Sequence, residues 1–232
     1  MTANKLKMIA CLSMVCDHVG YLLFPKLVFL RWIGRLALPI FAYFIAEGCL
    51  HTRSKGRYFL QVFALAVFCQ LFYAGEALLN GGIKSIYLNI LFTFSLSILV
   101  CWTYLRLKTG KRLVLNIGLF LGALCLSIFC CTGLSQTVGI PVTVDYGLVG
   151  ILLPVTALLF NNKRVNFLCF CLGTVVYCLA KASLFPYIWF SLLALLLLAF
   201  YNGKRGAKKL KWVFYLFYPV HFALIYGIGM LL

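Results

Sequence analysis

Four acids and three histidines carry most of the acid–base chemistry open to this 232-residue chain: Asp17, Glu47, Glu76 and Asp145, with His18, His51 and His221. They are set in a composition that is 64% hydrophobic and 11% charged, against roughly 45–50% and 25% in soluble domains. A charge near the centre of a bilayer costs at least about 2.5–3.5 kcal/mol, so ionisable groups inside apolar runs are candidates for function by default. Asp17-His18 interrupts the first such run. His18 has the chemistry of a general base near neutral pH. Successive helical residues diverge by about 100°, so Asp17 and His18 should meet different neighbours. Arg35 either clips Asp17 in a structural ion pair or stabilises developing negative charge. Glu47 and His51, four apart, share a helix face. Directly after them, Thr52-Arg53-Ser54-Lys55-Gly56-Arg57 clusters cations and hydroxyls that suit the phosphates of a nucleotide cofactor, or simply fix topology. His221, well inside the last apolar run, could orient a base, relay its proton or bond a neighbouring helix.

The elements that must position these groups are transmembrane. Mean hydropathy is +1.04, which leaves too little polar surface to wrap a water-soluble core and excludes a cytosolic enzyme or a disordered tail. The sequence predicts an all-α, polytopic bundle in a single membrane domain, with about nine apolar segments, several near the ~20 residues a spanning helix requires. They run over Leu6–Phe24, Ile33–Cys49, Tyr58–Leu79, Ile86–Leu105, Leu113–Cys131, Tyr146–Phe160, Val165–Ala182, Tyr187–Tyr201 and Trp212–Leu231. The sixth and eighth are short, and Pro154 is expected to kink the sixth. The first is broken by Asp17-His18 and followed by no small-residue cleavage site, so it reads as a retained span. Gly118-x-x-x-Gly122 reads as a close-packing surface. The 11 cysteines lie almost wholly in apolar segments without C-x-x-C spacing, so they read as small apolar fillers and no metal site is expected.

The chain has 21 Lys and Arg against four acids, a formal charge of +17. No basic stretch belongs to a soluble domain, so the excess speaks of topology and anionic lipid headgroups, not nucleic acid. With the N-terminus cytoplasmic and nine spans, about sixteen bases fall inside and about five outside, namely Lys26, Arg31, Arg35, Lys84 and Lys181. The C-terminus is then outside. In that frame Asp17-His18, some 17 Å along the first helix, should converge on the outer half with Arg35, Glu76, Asn89, Asp145 and His221. The basic run after Glu47 lies inside.

Several blocks together resemble the TraX family. They are Leu6-Lys7-Met8-Ile9-Ala10 with Met14-x-x-Asp17-His18-x-Gly20, Gly34-Arg35-Leu36-Ala37-x-Pro39-Ile40-Phe41-Ala42-Tyr43-Phe44, and Glu47-Gly48-x-x-His51-Thr52-Arg53. Asp145-Tyr146-Gly147, Tyr201-Asn202-Gly203-Lys204-Arg205-Gly206 and Phe214-Tyr215-x-Phe217-Tyr218-Pro219-x-His221 complete the set. The blocks stand in order from the first segment to the last. The stretch from about Leu91 to Thr143 carries little of the signal.

The resemblance implies a multipass protein of the bacterial plasma (inner) membrane that transfers acyl groups. The family takes its name from a conjugation protein that acetylates pilin subunits, and it is similar to broader membrane acyltransferases that use acyl-coenzyme A. On that reading acetyl-coenzyme A is the cosubstrate and no metal takes part. His51, Arg53, Lys55 and Arg57, with Lys204 and Arg205, would hold its phosphates, and His18 would deprotonate the acceptor. Arg35 would stabilise charge or orient Asp17, while Glu47 and His221 would orient the base or relay its proton. A peptide N-terminus, a sugar hydroxyl and a lipid headgroup all remain possible acceptors. A proton-coupled or lipid transporter and a non-catalytic scaffold of a surface or secretion apparatus are the rival classes. A reporter fused after Leu232 is expected to read outside the cytoplasm; a cytoplasmic signal would contradict the nine-span reading.

Overall fold

The computed structural model describes residues 1–79, 82–183, 186–206 and 210–229, without the side chains at 76, 77, 79, 186 and 211. The side chain of Glu76, and Lys208 and Lys209, therefore lie outside what is described here. The described residues are mostly helical, with almost no strand. Among the described residues, six helical stretches are long and apolar enough to cross a bilayer: Val28–His51, Lys55–Gly75, Ile90–Thr109, Leu113–Thr132, Lys163–Lys181 and Trp212–Gly229. The expected sixth and eighth segments contain shorter apolar helices, Gly147–Thr156 and Tyr187–Ala199. The expected kink at Pro154 is instead close to a stop: α8 (Gly147–Thr156) ends two residues later, and Ala157 and Leu158 close the turn by donating to the Pro154 and Val155 carbonyls.

Chain contacts divide the molecule into two compact units, 1–44 with 171–232, and 45–170. The first holds α1 (Ala3–Leu22), α2 (Val28–Gly34), most of α9 (Lys163–Lys181), a 3-10 helix (Pro186–Leu192), α10 (Leu193–Ala199) and α11 (Lys211–Gly229). The apolar stretch Val28–His51 is broken at 35–36, so the expected second segment, Ile33–Cys49, is mainly α3 (Ala37–His51), which starts afresh after α2. Pro39 supplies the reason. It has no N–H to offer the Arg35 carbonyl four residues back and its ring crowds that carbonyl, but it is harmless in the first turn of a new helix. Arg35 thus sits at a break in the helix wall. Along α1, Lys7 lies over the Phe214 ring, His18 meets His221, and Leu23 lies beside Gly229. The contacts advance together along both helices, so α1 and α11 run parallel.

The start of α1 is tied down by the Tyr201–Gly206 block. The Ala3 and Asn4 N–H groups, which no earlier turn of helix can satisfy, donate to the Lys204 and Arg205 carbonyls at 2.9 and 3.1 Å, and Asn202 N–H donates to the Met1 carbonyl. Gly206 has φ +104° and lies so close to Thr2 and Asn4 that a Cβ would meet Asn4 Nδ2 at 3.1 Å. A residue with a side chain fits neither condition.

The second unit contains α4 (Lys55–Leu79), α5 (Ile90–Thr109), α6 (Leu113–Thr132), α7 (Leu134–Val138) and α8. To the expected helices it adds one short pairing: β1 (Ile86–Leu88) and β2 (Val142–Val144) run in parallel, with Ile86 opposite Val142 and Leu88 opposite Val144. Each strand leads into a helix, so α5 and α8 run side by side, joined by Ser97 Oγ–H donating to the Ile151 carbonyl at 2.8 Å. Lys108 donates to the Leu158 and Leu159 carbonyls at 3.3 and 3.2 Å, a cation at the end of α8 where the helix dipole favours one. The expected packing role of Gly118 and Gly122 is not seen. A Cβ added at either would meet nothing within 4 Å, so no other part of the chain packs against that face among the described residues. Large apolar side chains are exposed along α6, Val114 at 85% and Leu121 at 53%, a surface suited to lipid and not to water.

Asn89 holds the start of α5. Buried to 1%, it accepts from Leu91 N–H at 3.0 Å and donates to the Ala66 carbonyl and Gln70 Oε1, each at 3.1 Å. Replacing Asn89 with Ala removes the cap and strands its partners, and is expected to cost about 1–3 kcal/mol. Denaturant or thermal unfolding of the detergent-solubilised protein would measure this; an unchanged midpoint would contradict it.

Candidate functional site

Two arginines meet one carboxylate in the first unit. Asp17 Oδ1 accepts from the Arg35 guanidinium, and Asp17 Oδ2 lies 3.1 Å from Arg31 Nη1. Arg31 also donates to the Asp17 carbonyl at 3.1 Å, and Arg35 Nε–H to the Arg31 carbonyl at 3.3 Å. The side chains of Arg35, Asp17 and Arg31 are only 4, 13 and 17% exposed. The Tyr187 ring lies 5.4 Å from the Arg35 guanidinium and 6.0 Å from that of Arg31, and Tyr21 is 5.1 Å from Arg31. Two cations against one anion leave the cluster with a net positive charge. Gly34 permits the approach of α2 to α1: a Cβ there would collide with the Asp17 side chain. By sequence alone Arg31 reads only as a topology charge. Its four-residue spacing from Arg35, which puts both on one helix face, was the signal that could have revealed it.

His18, as its angular separation from Asp17 implies, faces elsewhere. Its Nδ1 lies 2.8 Å from Nε2 of His221, and His221 Nδ1–H donates to the Phe217 carbonyl at 2.8 Å. Pro219, inside α11, withdraws the N–H owed to the Tyr215 carbonyl within the same turn. The Phe217 ring stacks on His221 at 4.7 Å between centroids, with Tyr218 edge-on to it at 5.4 Å and Phe222 edge-on to His18 at 5.7 Å. His221 is 5% exposed. The pair therefore sits in an aromatic enclosure beside a cationic cluster, an arrangement able to accept a proton and to stabilise negative charge nearby.

The remaining expected residues lie elsewhere. Glu47 and His51 pair across one helical turn at 3.3 Å, with His51 71% exposed. Arg53 and Arg57 are exposed and Lys55 half-buried around the first turn of α4, where Ser54 Oγ accepts from Arg57 N–H at 3.3 Å. Three cations around the start of a 25-residue helix suit an anionic phosphate group on chemical grounds. Lys204 and Arg205 are exposed, and their backbone carbonyls are the groups that cap α1. Asn89 and Asp145 belong to the second unit, where Tyr87 O–H donates to Asp145 Oδ1 at 2.5 Å and Thr93 Oγ1–H to the Asp145 carbonyl. Burial of the hydroxyl, with the Asp145 carboxylate beside it, pushes the Tyr87 phenol well above its ordinary range, which keeps it a donor. Tyr146, next in the chain, has φ +60°, an uncommon conformation for a residue with a bulky side chain. Among the described residues, no three His, Cys, Asp or Glu side chains are placed to hold a metal ion.

A family model described as TraX protein matches residues 2–229. The chain belongs to the TraX family. It is similar to the probable fimbrial assembly protein FimC, serogroup H1, of Dichelobacter nodosus, 28% identical over 249 residues that cover 100% of this chain and 97% of that protein. An uncharacterized protein of Rickettsia prowazekii (strain Madrid E), RP591, is 30% identical over 86 residues, 37% of this chain and 34% of its own. No solved structure matches the chain. Of the TraX-type blocks, the first two and the last build the Asp17 and His18 clusters, and Tyr201–Gly206 caps the helix that carries them.

Replacing Asp17 with Asn leaves two guanidiniums without their anion. The loss of a buried partner is expected to cost about 3–5 kcal/mol. Adding Arg35→Gln to Asp17→Asn should cost less than the sum of the two single changes. A double-mutant cycle from unfolding midpoints measures this, and strict additivity would mean that the two residues do not interact.

Proposed function

We propose that this TraX-family protein is a membrane-embedded acyltransferase, moving an acetyl group from cytoplasmic acetyl-coenzyme A to an amine or hydroxyl acceptor at or beyond the membrane. The observation that carries the reading is the division of labour between two neighbouring side chains. Asp17 is engaged by two guanidiniums, whereas His18, beside it in sequence, points to a second histidine within an aromatic enclosure. His18 is then the available general base. A ring nitrogen takes the acceptor's proton as its nitrogen or oxygen bonds to the thioester carbonyl carbon. As the carbon–sulfur bond breaks, the same nitrogen returns the proton to the departing thiolate. Acetylated acceptor and free coenzyme A result, and the histidine is restored. The net positive charge of the Asp17–Arg31–Arg35 cluster favours the oxyanion of the addition step. Arg53, Lys55 and Arg57 are the residues suited to the coenzyme phosphates, with His51, Lys204 and Arg205 as further contacts.

Nine crossings with the N-terminus cytoplasmic and the C-terminus outside belong to the same proposal. They are supported by the parallel course of α1 and α11, which an odd number of crossings requires, and the plasma membrane of a bacterium is the location that follows. The name of the Dichelobacter nodosus relative favours an acceptor or partner among fimbrial subunits. It also suits the rival in which the protein is a non-catalytic assembly scaffold.

Detergent-purified protein given labelled acetyl-coenzyme A and a panel of pilin-type peptides, glycans and lipids decides between them. The enzyme reading expects label on an acceptor, an about 10²-fold or greater loss with His18→Ala, and weakened coenzyme A binding when Arg53, Lys55 and Arg57 are all replaced. Full transfer by the His18→Ala protein would exclude the histidine, and proton-coupled flux of a substrate without coenzyme A would favour a transporter.

A further inference from the structure

The hydrogen bonds around His221 fix where the protons of the histidine pair reside. A carbonyl oxygen only accepts, so the 2.8 Å contact between His221 Nδ1 and the Phe217 carbonyl places a proton on Nδ1. With both rings neutral, His221 Nε2 then carries a lone pair, and the 2.8 Å contact to His18 Nδ1 requires the proton there to belong to His18. The ring geometry agrees. Centroids 5.0 Å apart with planes within 19° of each other, together with that nitrogen-to-nitrogen distance, describe two imidazoles edge to edge, with the shared proton close to both ring planes where the lone pair lies. The neutral state suits the surroundings. His221 is 5% exposed and packed by Phe217 and Tyr218, while Arg31 and Arg35 on the α2 side oppose a further cation, with Asp17 already committed to them.

We propose that His221 is a positioning residue that locks His18 in the tautomer protonated on Nδ1, so that Nε2 is the nitrogen through which His18 acts as base. The placement of the protons follows from the hydrogen bonds with both rings neutral and does not depend on any activity; its catalytic meaning rests on the acyltransferase reading. The chain of control runs from the Phe217 carbonyl to His221 Nδ1–H, and from His221 Nε2 to His18 Nδ1–H. A lone imidazole in water exchanges freely between tautomers. One held by an oriented acceptor presents a single basic nitrogen in a fixed direction.

Two measurements test this separately. Nitrogen NMR of detergent-solubilised protein carrying isotope-labelled histidine involves only three residues, and His51→Gln removes the exposed one. Near neutral pH, His18 should show a protonated Nδ1 and a bare Nε2, and His221 likewise. A neutral His18 protonated on Nε2 would overturn the proposal whether or not the protein transfers acetyl groups. The second measurement compares His221→Phe with His221→Gln. The glutamine side-chain oxygen can take the place of His221 Nε2 as acceptor for His18 Nδ1–H, whereas phenylalanine cannot. His221→Phe should lower kcat by about 10²-fold or more with KM unchanged, and His221→Gln should recover to within about tenfold of wild type. A glutamine variant as inactive as the phenylalanine variant, or a phenylalanine variant with full kcat, would overturn the positioning role. If wild-type protein shows no transfer at all, the failure is that of the acyltransferase reading, and the NMR result still decides the tautomer.

Discussion

Hydrocarbon cannot hydrate a charge, and the arrangement of the first unit follows from that constraint. Asp17 occupies an apolar helix, so the helix must be met by a cation. α2 brings two, and it comes close enough only because residue 34 has no side chain. Pro39 then ends the hydrogen-bond ladder so that Arg35 lies at a helix break, where its guanidinium turns back to Asp17 and its own Nε–H finds the Arg31 carbonyl. One carboxylate thereby sets the spacing of two helices and the character of the surface beside His18, while Pro39 sets the position of the break. That the two arginines exceed the acid by one charge is compatible with a site that handles transient negative charge, and is costly for a purely structural clip.

The same constraint governs the second unit with neutral groups. Asn89 is buried, yet its side chain serves the first turn of α5 and two partners on α4. Ser97 and Thr93 spend their hydroxyls on carbonyls of the Asp145–Ile151 segment. Polar side chains here tie neighbouring helices at defined heights, which apolar packing against equally apolar lipid does poorly.

Much of this was readable from residue types. Acids inside apolar runs pointed to Asp17 and His18, the 100° rule separated their partners, and the blocks from Leu6 to His221 gave the family. What escaped were features set by contact between distant segments. Arg31 looked like any loop cation until α2 docked on α1. The parallel strands are three residues each, too short to impose an alternating pattern, and their pairing is what sets the starts of α5 and α8 side by side. Gly118 and Gly122 had the spacing of a packed interface, but whether another helix of the chain covers them depends on tertiary arrangement that a local pattern does not encode. Lys204 and Arg205 attracted notice for their side chains, while the groups engaged with α1 are their carbonyls.

The His18–His221 contact spans 203 positions of sequence, and the first helix is capped by a segment just ahead of the last. A ribosome must therefore deliver nearly the whole polypeptide before the pair can form. Until then α1 waits in the membrane with His18 lacking its partner, although Arg31 and Arg35 arrive early enough to cover Asp17. Loss of the last helix by premature termination or proteolysis removes the histidine pair while leaving the second unit and the Asp17 cluster intact in sequence. The order of synthesis thus makes the His18–His221 pair the last contact of the first unit to be completed, and a fragment without the final helix does not carry it.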